Sequence, residues 1–151
     1  MSSLIAVADA DALIALALEK DPHHHQAIAI STTLLEQHAD IVFPVTVFPE
    51  AITSLIRAAN QPQKAHLLNR QFQQGAFHVA YLDDEIMLRA SQIFASAHSK
   101  QNTFFDAIVA ATAEKLHADS IFSFDQWYPK LGYVLASSYK KYHGPSIEDF
   151  Y

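Results

Sequence analysis

Four acidic residues stand where short apolar segments end or where a helix is predicted to begin. Asp9 directly follows the first apolar run in "LIAVADADALIALAL" (4–18), and Glu50 follows "IVFP" after a short turn. Asp125 closes "SIFSFD", and Asp106 lies near the start of the amphipathic stretch "NTFFDAIVAATAEKLHAD". Residues that follow parallel strands gather at the carboxyl edge of a sheet, so we expect the four carboxylates to lie close together.

Carboxylates that share a crevice repel one another, and such a group has raised pKa values or binds a cation. The chain contains no cysteine, which excludes zinc–thiolate sites, disulfides and thiol nucleophiles. Carboxylate oxygens suit hard divalent ions such as Mg2+ or Mn2+. An ion of this kind activates water and binds phosphate oxygens, so the acids predict hydrolysis of phosphodiester bonds.

The elements that must position these acids are short apolar strands that alternate with amphipathic helices. We predict strands at 4–8, 41–44, 77–82, 120–125 and 133–136. We predict helices at 11–20, 23–40, 49–60, 62–74, 83–99 and 103–117. This alternation is typical of an α/β fold with a central, mainly parallel five-stranded sheet that helices cover on both faces.

The composition indicates one globular domain. Of the 151 residues, 50% are hydrophobic and 17% are charged, and we predict a domain over 1–137 with a C-terminal tail over 138–151. The net charge of −6 argues against broad electrostatic binding to the phosphates of nucleic acid, although acids grouped around a cation change the local charge. No basic segment precedes the first apolar run, and the runs are shorter than a membrane span of about 20 residues, so we predict a soluble protein without a signal peptide. The absence of cysteine suits a cytoplasmic location, which we also predict.

Three longer stretches together resemble the PIN-domain ribonucleases, and in particular the toxin subunits of VapBC-type toxin–antitoxin pairs. They are "VADADALIALALEKDPHHHQA", "FPVTVFPEAITSLIRA" and "NTFFDAIVAATAEKLHADSIFSFDQWYPKLG". The third stretch contains two motifs, so the three stretches hold four in all. Each motif is common by itself, but four motifs in this order and at these intervals are more specific. The resemblance covers the chain nearly to Val134.

The resemblance implies a three-layer α/β/α fold and the activity of a Mg2+- or Mn2+-dependent endoribonuclease that acts as a toxin. It assigns catalysis and metal binding to four acids, with Ser123 as an auxiliary hydroxyl. The acids are Asp9, Glu50, Asp106 and Asp125. It also implies an RNA substrate, a small antitoxin protein as a partner, and a homodimer.

Three further features are interpreted residue by residue. Asp11 stands where the family commonly has Ser, Thr or Asn, and we expect it to cap the following helix, with metal ligation as the second interpretation. Arg57 lies on nearly the same helical face as Glu50 and can reach a bound phosphate or pair with a neighbour, of which pairing is favoured. Consecutive helical residues point about 100° apart and cannot chelate one ion, so we place the histidines at 23–25 at the start of a helix.

Two alternatives stay open beside the nuclease. The segment "VADADAL" also resembles the opening of haloacid-dehalogenase-type phosphatases, but Ala12 and Leu13 follow where Gly and Thr or Val are usual, and Glu50 would have no function. A PIN-like domain that binds RNA or a protein without cleavage is the non-enzymatic alternative, which the departure at Asp11 leaves open. Taken singly, each acid has an ordinary explanation as a cap or a turn residue, and only their joint placement favours a site.

Overall fold

The computed structural model describes residues 3–98 and 100–138, and its centre is a parallel sheet. The strands are β1 (Ile5–Ala8), β2 (Asp40–Pro44), β3 (His78–Ala80) and β4 (Ser120–Phe122). They run in the order β3-β2-β1-β4, which makes β1 an inner strand. Val7 of β1 pairs with Val42 of β2 and with Ile121 of β4. The residues that follow these three strands therefore emerge side by side at one edge of the sheet.

Helices cover the sheet on both faces. They are α1 (Ala10–Ala17), α2 (His24–Glu36), α3 (Val47–Arg57), α4 (Pro62–Gln73), α5 (Asp84–Ala95), α6 (Phe104–Lys115) and α7 (Trp127–Lys130). Right-handed crossovers place α1 to α4, which link β1, β2 and β3, on one face, and α5 and α6 on the other. The packing agrees, because α6 contacts β1, β2 and β4 while α5 packs on α6. The predicted three-layer α/β/α architecture is confirmed.

The two faces of the sheet are packed with different side chains. Every residue of α6 from 107 to 113 is buried, and four of these seven are alanine, so the helix fits closely between the sheet and α5. On the other face the core is aromatic, with ring centroids 4.7 to 5.9 Å apart. The rings belong to Phe43, Phe48, Phe72 and Phe77. The small side chains of α6 bring its first turn close to β1.

The predicted fifth strand at 133–136 is reduced to one parallel bridge between Leu135 and Ile121. Two hydrogen bonds of 2.8 Å make this bridge, from Ile121 N to Val134 O and from Ala136 N to Ile121 O. The chain arrives through Gly132, whose φ of +94° favours glycine, and it turns away again after Leu135. The sheet of the described residues therefore has four strands.

The strand β4 ends at Phe122, three residues before its predicted end, because the next residues form a turn. In this turn Asp125 N donates to Ser123 Oγ at 3.1 Å, and Trp127 N donates to Asp125 Oδ1 at 2.9 Å. The turn leads into the short helix α7, which the sequence did not predict. Because of this turn, residues 123–125 do not continue the alternating side-chain pattern of the strand.

The other boundaries differ from prediction by a few residues. The helix α3 begins at Val47, two residues before the predicted start, and Pro49 still lies in the first turn, where a missing N–H costs no hydrogen bond. Only the first residue of the predicted tail at 138–151 is described, and the rest lies outside the described residues. Within 3–98 and 100–138, no helix combines the length and the hydropathy required to cross a membrane.

Candidate active site

Three of the predicted acids, Asp9, Glu50 and Asp106, come together at the carboxyl edge of the sheet. One carboxylate oxygen of each lies within 4.8 Å of the other two, and no other such group of metal-ligating side chains occurs in the described part of the chain. Each acid stands at the start of a helix, because Asp9 is the N-cap of α1 and the other two lie in the first turns of α3 and α6. The positive ends of three helices thus offset part of the repulsion.

Asp9 is the most enclosed of the three, with 4% of its surface exposed. Its backbone is still held by the sheet, since Asp9 N donates to Phe122 O at 3.0 Å. Its Oδ1 accepts from Ala10 N at 2.6 Å, and its Oδ2 accepts from the hydroxyl of Tyr128 at 2.6 Å. Both carboxylate oxygens are therefore fixed by a donor, and each retains a further lone pair for a cation.

Asp106 is held by the residues that precede its helix. Its Oδ2 accepts from Thr103 N at 2.8 Å, which satisfies a backbone group at the start of α6, and from Asn102 Nδ2 at 3.4 Å. Asn102 is itself buried, and the same amide nitrogen donates to Asp125 Oδ2 at 2.8 Å. One amide group thus links two carboxylates that would otherwise repel each other.

The fourth predicted ligand, Asp125, lies beside the cluster and not in it. Its two oxygens accept from Asn102 Nδ2 and from Trp127 N, so the carboxylate is engaged in holding the turn after β4. The structure therefore brings together three of the four predicted acids, and it places Asp125 next to Asp106 through Asn102. Direct metal ligation by Asp125 stays a prediction.

The interpretation of Asp11 as the helix cap is wrong. Asp9 is the N-cap of α1, and its side chain accepts from Ala10 N. Asp11 lies in the first turn and extends across to the turn after β4, where its Oδ2 accepts from Ser123 Oγ at 2.9 Å and from Phe124 N at 2.8 Å. The two partners are more than a hundred positions away in sequence. The other oxygen, Asp11 Oδ1, is buried and accepts no hydrogen bond among the described residues.

The electrostatics of the cluster are those of unneutralised acids. Burial, and after it the charge of Asp11, raises the pKa of Asp9. Burial also raises the pKa of Glu50 to about 7, with the charge of Asp106 as the next cause. The pKa values of Asp106 and Asp11 are raised as well, again chiefly by burial. A site of this kind lowers its free energy when it takes up protons or a cation.

No side-chain cation balances these acids in the described part of the chain. The ion pairs found there lie elsewhere in the structure. None of them includes Asp9, Glu50 or Asp106, and none includes the neighbouring acids Asp11 and Asp125. Oxygen ligands, partial burial and the absence of a basic partner fit a hard divalent ion. Mg2+ accepts a few carboxylates and keeps coordinated waters, which the partly exposed side of the cluster allows.

Comparison with protein families agrees with this geometry. The model of the PIN domain matches residues 6–132, which spans all three acids and the turn after β4. The chain belongs to the PIN domain family. A comparison with curated protein sequences finds no match.

Several solved structures share the fold of this PIN domain. VapC20 from Mycobacterium tuberculosis, described as a Sarcin-Ricin loop cleaving toxin, is 18% identical with a TM-score of 0.72, over 86% of this chain and 96% of that one. FitAcB from Neisseria gonorrhoeae is 19% identical with a TM-score of 0.59, over 81% and 88% of the two chains. A toxin–antitoxin complex from Klebsiella pneumoniae is 15% identical with a TM-score of 0.51, over 80% and 86%. At these identities the likeness establishes the fold.

The family match decides between the two enzyme classes that the sequence left open. A haloacid-dehalogenase-type phosphatase has no use for Glu50, whereas in this PIN domain Glu50 lies within 4.8 Å of the two aspartates. The predicted resemblance to PIN domains is thus confirmed, and the phosphatase interpretation is not retained.

The remaining predicted residues lie around the site. Arg57 ends α3, is exposed, and forms no ion pair or hydrogen bond within 3–98 and 100–138, so the favoured pairing with a neighbour is not found. Contact of Arg57 with RNA stays a prediction. His23 directly precedes α2, as predicted, and its ring stacks on Phe124 with centroids 4.4 Å apart, while His24 Nδ1 lies 2.7 Å from Ala15 O. These histidines form no common metal site in the described residues.

Sequence reasoning missed Tyr128 and Asn102, which contact the acids directly. Tyr128 is separated from Asp9 by 119 positions, and Asn102 reads as an ordinary polar residue before a helix. The only available signal is chemical. A tyrosine three residues after a site acid, and an amide four residues before another, each offer a donor where carboxylates gather.

Proposed function

We propose that this PIN domain is a metal-dependent endoribonuclease that hydrolyses phosphodiester bonds of RNA with Mg2+ or Mn2+. The observation that carries the proposal is the group of three carboxylates, Asp9, Glu50 and Asp106, whose oxygens lie within 4.8 Å and which form no ion pair with a basic side chain of the described residues. Membership of the PIN family supports the same reaction, as does the description of VapC20 as a toxin that cleaves the Sarcin-Ricin loop.

The residues divide into those that would hold the ion and those that hold its ligands. Asp9, Glu50 and Asp106 would supply the oxygens. When bound, the ion would lower the pKa of a coordinated water and stabilise charge on the scissile phosphate. Asn102 keeps Asp106 and Asp125 at a fixed separation, so that two neighbouring carboxylates coexist without moving apart. Water adds to phosphorus, the P–O bond to one ribose oxygen breaks, and a proton goes to that oxygen.

The biological setting is part of the proposal. One of the similar structures is a toxin–antitoxin complex, and we infer a small antitoxin that covers the acidic site with an Arg or Lys side chain. An RNA substrate implies action in the cytoplasm, and the homodimer implied by the family resemblance stays a prediction. Arg57, which has no protein partner among the described residues, is the basic side chain that we assign to contact with RNA phosphate.

The proposal is tested by incubating the purified chain with structured and single-stranded RNA in Mg2+, in Mn2+ and in excess chelator. Asp9→Asn and Asp106→Asn should abolish cleavage, because each removes one carboxylate charge from the metal site while keeping the shape of the side chain. Asp40→Asn is the matched control, since Asp40 begins β2 at the opposite edge of the sheet and pairs with His78.

Cleavage that persists in chelator or in either site variant contradicts the mechanism. Binding of RNA without cleavage under every metal condition supports the alternative, a PIN domain that binds RNA without cutting it. Equal loss in Asp40→Asn shows that the effect is not specific to the site.

A further inference from the structure

Tyr128 is completely buried, with none of its surface exposed. It contacts Asp9, which together with Glu50 and Asp106 forms the group of proposed ligands that we call the metal-ligand cluster. Its hydroxyl donates to Asp9 Oδ2 at 2.6 Å. The next acceptor, the backbone carbonyl of Asp106, is 3.5 Å away. The hydroxyl has one proton, and the distances assign it to Asp9.

The hydrogen bond completes a restraint on the Asp9 carboxylate from two sides. Ala10 N holds Oδ1 at 2.6 Å, and the Tyr128 hydroxyl holds Oδ2 at the same distance. Donors on both oxygens fix the rotation of the carboxylate about its Cβ–Cγ bond. Ser123 does not replace Tyr128 in this respect, because its hydroxyl is 2.9 Å from Asp11 Oδ2 and 3.4 Å from Asp9 Oδ2.

The packing of the ring does not by itself require the hydroxyl. A phenylalanine would fill nearly the same buried volume, and burial of a hydroxyl is unfavourable unless it has a partner. Here the partner is a carboxylate that the metal site uses. The ring is held rigidly in turn, because Tyr128 belongs to α7 and the turn before α7 is fixed by Asp125.

We propose that Tyr128 is a positioning residue, which holds the Asp9 carboxylate in the orientation that binds the divalent ion. The proposal rests on the proposed function, because it takes Asp9 as a ligand. Partners that orient metal ligands typically account for about 10- to 100-fold in metal affinity. We therefore expect loss of the hydroxyl to weaken metal binding while the fold is retained.

A matched control exists in the same chain. The hydroxyl of Tyr133 donates to Glu114 Oε1 at 2.5 Å, and Glu114 does not belong to the metal-ligand cluster. Tyr133→Phe therefore removes the same kind of tyrosine–carboxylate hydrogen bond from an acid that is not a proposed ligand. Any general effect of such a loss appears in both variants, whereas an effect on the ion appears only in Tyr128→Phe.

The experiment measures the affinity for Mn2+ of the wild-type chain, Tyr128→Phe and Tyr133→Phe by the paramagnetic relaxation of water protons. Tyr128→Phe should bind Mn2+ about 10- to 100-fold more weakly, and Tyr133→Phe should bind it as the wild type does. RNA cleavage by Tyr128→Phe should recover as the Mn2+ concentration is raised to saturation. A purely structural role for the hydroxyl would not give this recovery.

A second measurement tests whether Tyr128 acts through Asp9. Asp9→Asn, Tyr128→Phe and the double variant form a cycle in the free energy of unfolding, which should show coupling between the two positions. The corresponding cycle of Asp9→Asn with Tyr133→Phe should be additive. If Tyr128→Phe is too unstable to purify alone, the double variant, which removes the buried charge together with its donor, should be more stable than the single one.

Equal Mn2+ affinity of Tyr128→Phe and the wild type overturns the inference, and so does equal weakening in Tyr133→Phe or an additive cycle with Asp9→Asn. Failure of the wild type to bind Mn2+ overturns the proposed function and the inference together. Mn2+ binding that depends on Tyr128, in a chain that cleaves no RNA, overturns only the proposed reaction.

Discussion

Acidic residues lie close together at two places in this molecule, and the two groups differ in whether basic side chains pair with them. Between α5 and α6, three acids have a basic partner. Glu114 receives two hydrogen bonds from Arg89, at 2.6 and 3.0 Å, and Lys115 pairs with Asp83 and with Glu85. Hydrogen bonds from Arg89 and Lys115 lower the pKa values of Glu114 and Asp83, respectively. We call these contacts the α5–α6 ion pairs.

At the carboxyl edge of the sheet the acids have no basic partner within residues 3–98 and 100–138, and burial raises the pKa values of Asp9, Glu50 and Asp106. The α5–α6 ion pairs balance their own charges, whereas the charges of the cluster at the edge of the sheet are left unbalanced by the described side chains. The comparison shows that acidity alone does not indicate a site. The candidate site is distinguished by carboxylates that lie close together without a described lysine or arginine that neutralises them.

The largest expected effect is a loss of metal binding when one acid is removed from the cluster, compared with removal of one acid from the α5–α6 ion pairs. Glu50→Gln should weaken binding of Mn2+ by more than about 100-fold, because loss of a ligand exceeds the effect of losing a partner of a ligand. RNA cleavage should fall with it. Metal binding is measured by titration calorimetry, and cleavage is measured on one labelled RNA.

The matched variant is Glu114→Gln, which breaks the pairing with Arg89 and Tyr133 and leaves the cluster untouched. Its melting temperature should fall by about 3 °C or less, since exposed ion pairs contribute little. Its affinity for Mn2+ should equal that of the wild type. A loss of metal binding in Glu114→Gln would break the distinction between the two regions.

The second prediction concerns the pH dependence of stability without metal. The pKa of Glu50 is raised from 4.5 to about 7 in the folded chain, so the folded state binds this proton more tightly than the unfolded state. The resulting stabilisation is fully present below about pH 4.5 and is lost as the pH rises through about 7. At pH 8 the metal-free Glu50→Gln should therefore be more stable than the wild type, and at pH 4.5 this advantage should disappear.

Thermal unfolding in chelator at the two pH values measures this difference. Saturating Mg2+ should stabilise the wild type more at pH 8 than at pH 4.5, because the ion binds the deprotonated ligands. A Mg2+ effect that is equal at both pH values, or larger at low pH, would argue against carboxylate ligation.

The smallest effect is expected at Asp11, which lies beside the cluster and whose Oδ2 accepts hydrogen bonds from two neutral donors. Asp11→Ala leaves Phe124 N without its side-chain acceptor and Ser123 Oγ with only the longer contact to Asp9, and it should lower the free energy of unfolding by about 1–2 kcal/mol. Asp11→Asn keeps an acceptor oxygen and should cost less. Both should change Mn2+ affinity less than tenfold, and a larger loss in Asp11→Asn would make Asp11 a ligand.

The sequence was sufficient to predict the acids that follow directly from the order of strands and helices. Asp9, Glu50 and Asp106 sit at strand or helix boundaries, and parallel topology alone brings such boundaries to one edge. Asp125 was predicted on the same argument, but its oxygens are engaged by Asn102 and Trp127 N. Local turn chemistry of this kind depends on side-chain geometry, which the strand pattern does not contain.

The errors arise from contacts between distant parts of the chain. Asp11 has the composition and position of a cap, yet its donors, Ser123 and Phe124, come from 112 and 113 positions away. The bridge at Leu135 satisfies the pattern of a strand, but the chain has only one residue in register there. Periodicity predicts which face a residue occupies, and it does not predict how long a neighbouring segment stays alongside.

The hydrogen bond between Tyr128 and Asp9 spans 119 positions, and it joins the residue after the first strand to the last helix of the described residues. During synthesis on a ribosome, Asp9 is added to the chain 97 positions before Asp106 and 119 positions before Tyr128. Until Asp106 has been added, a nascent chain therefore carries an incomplete set of these carboxylates. If the complete site cleaves RNA as proposed, this order delays cleavage until all three acids have been made.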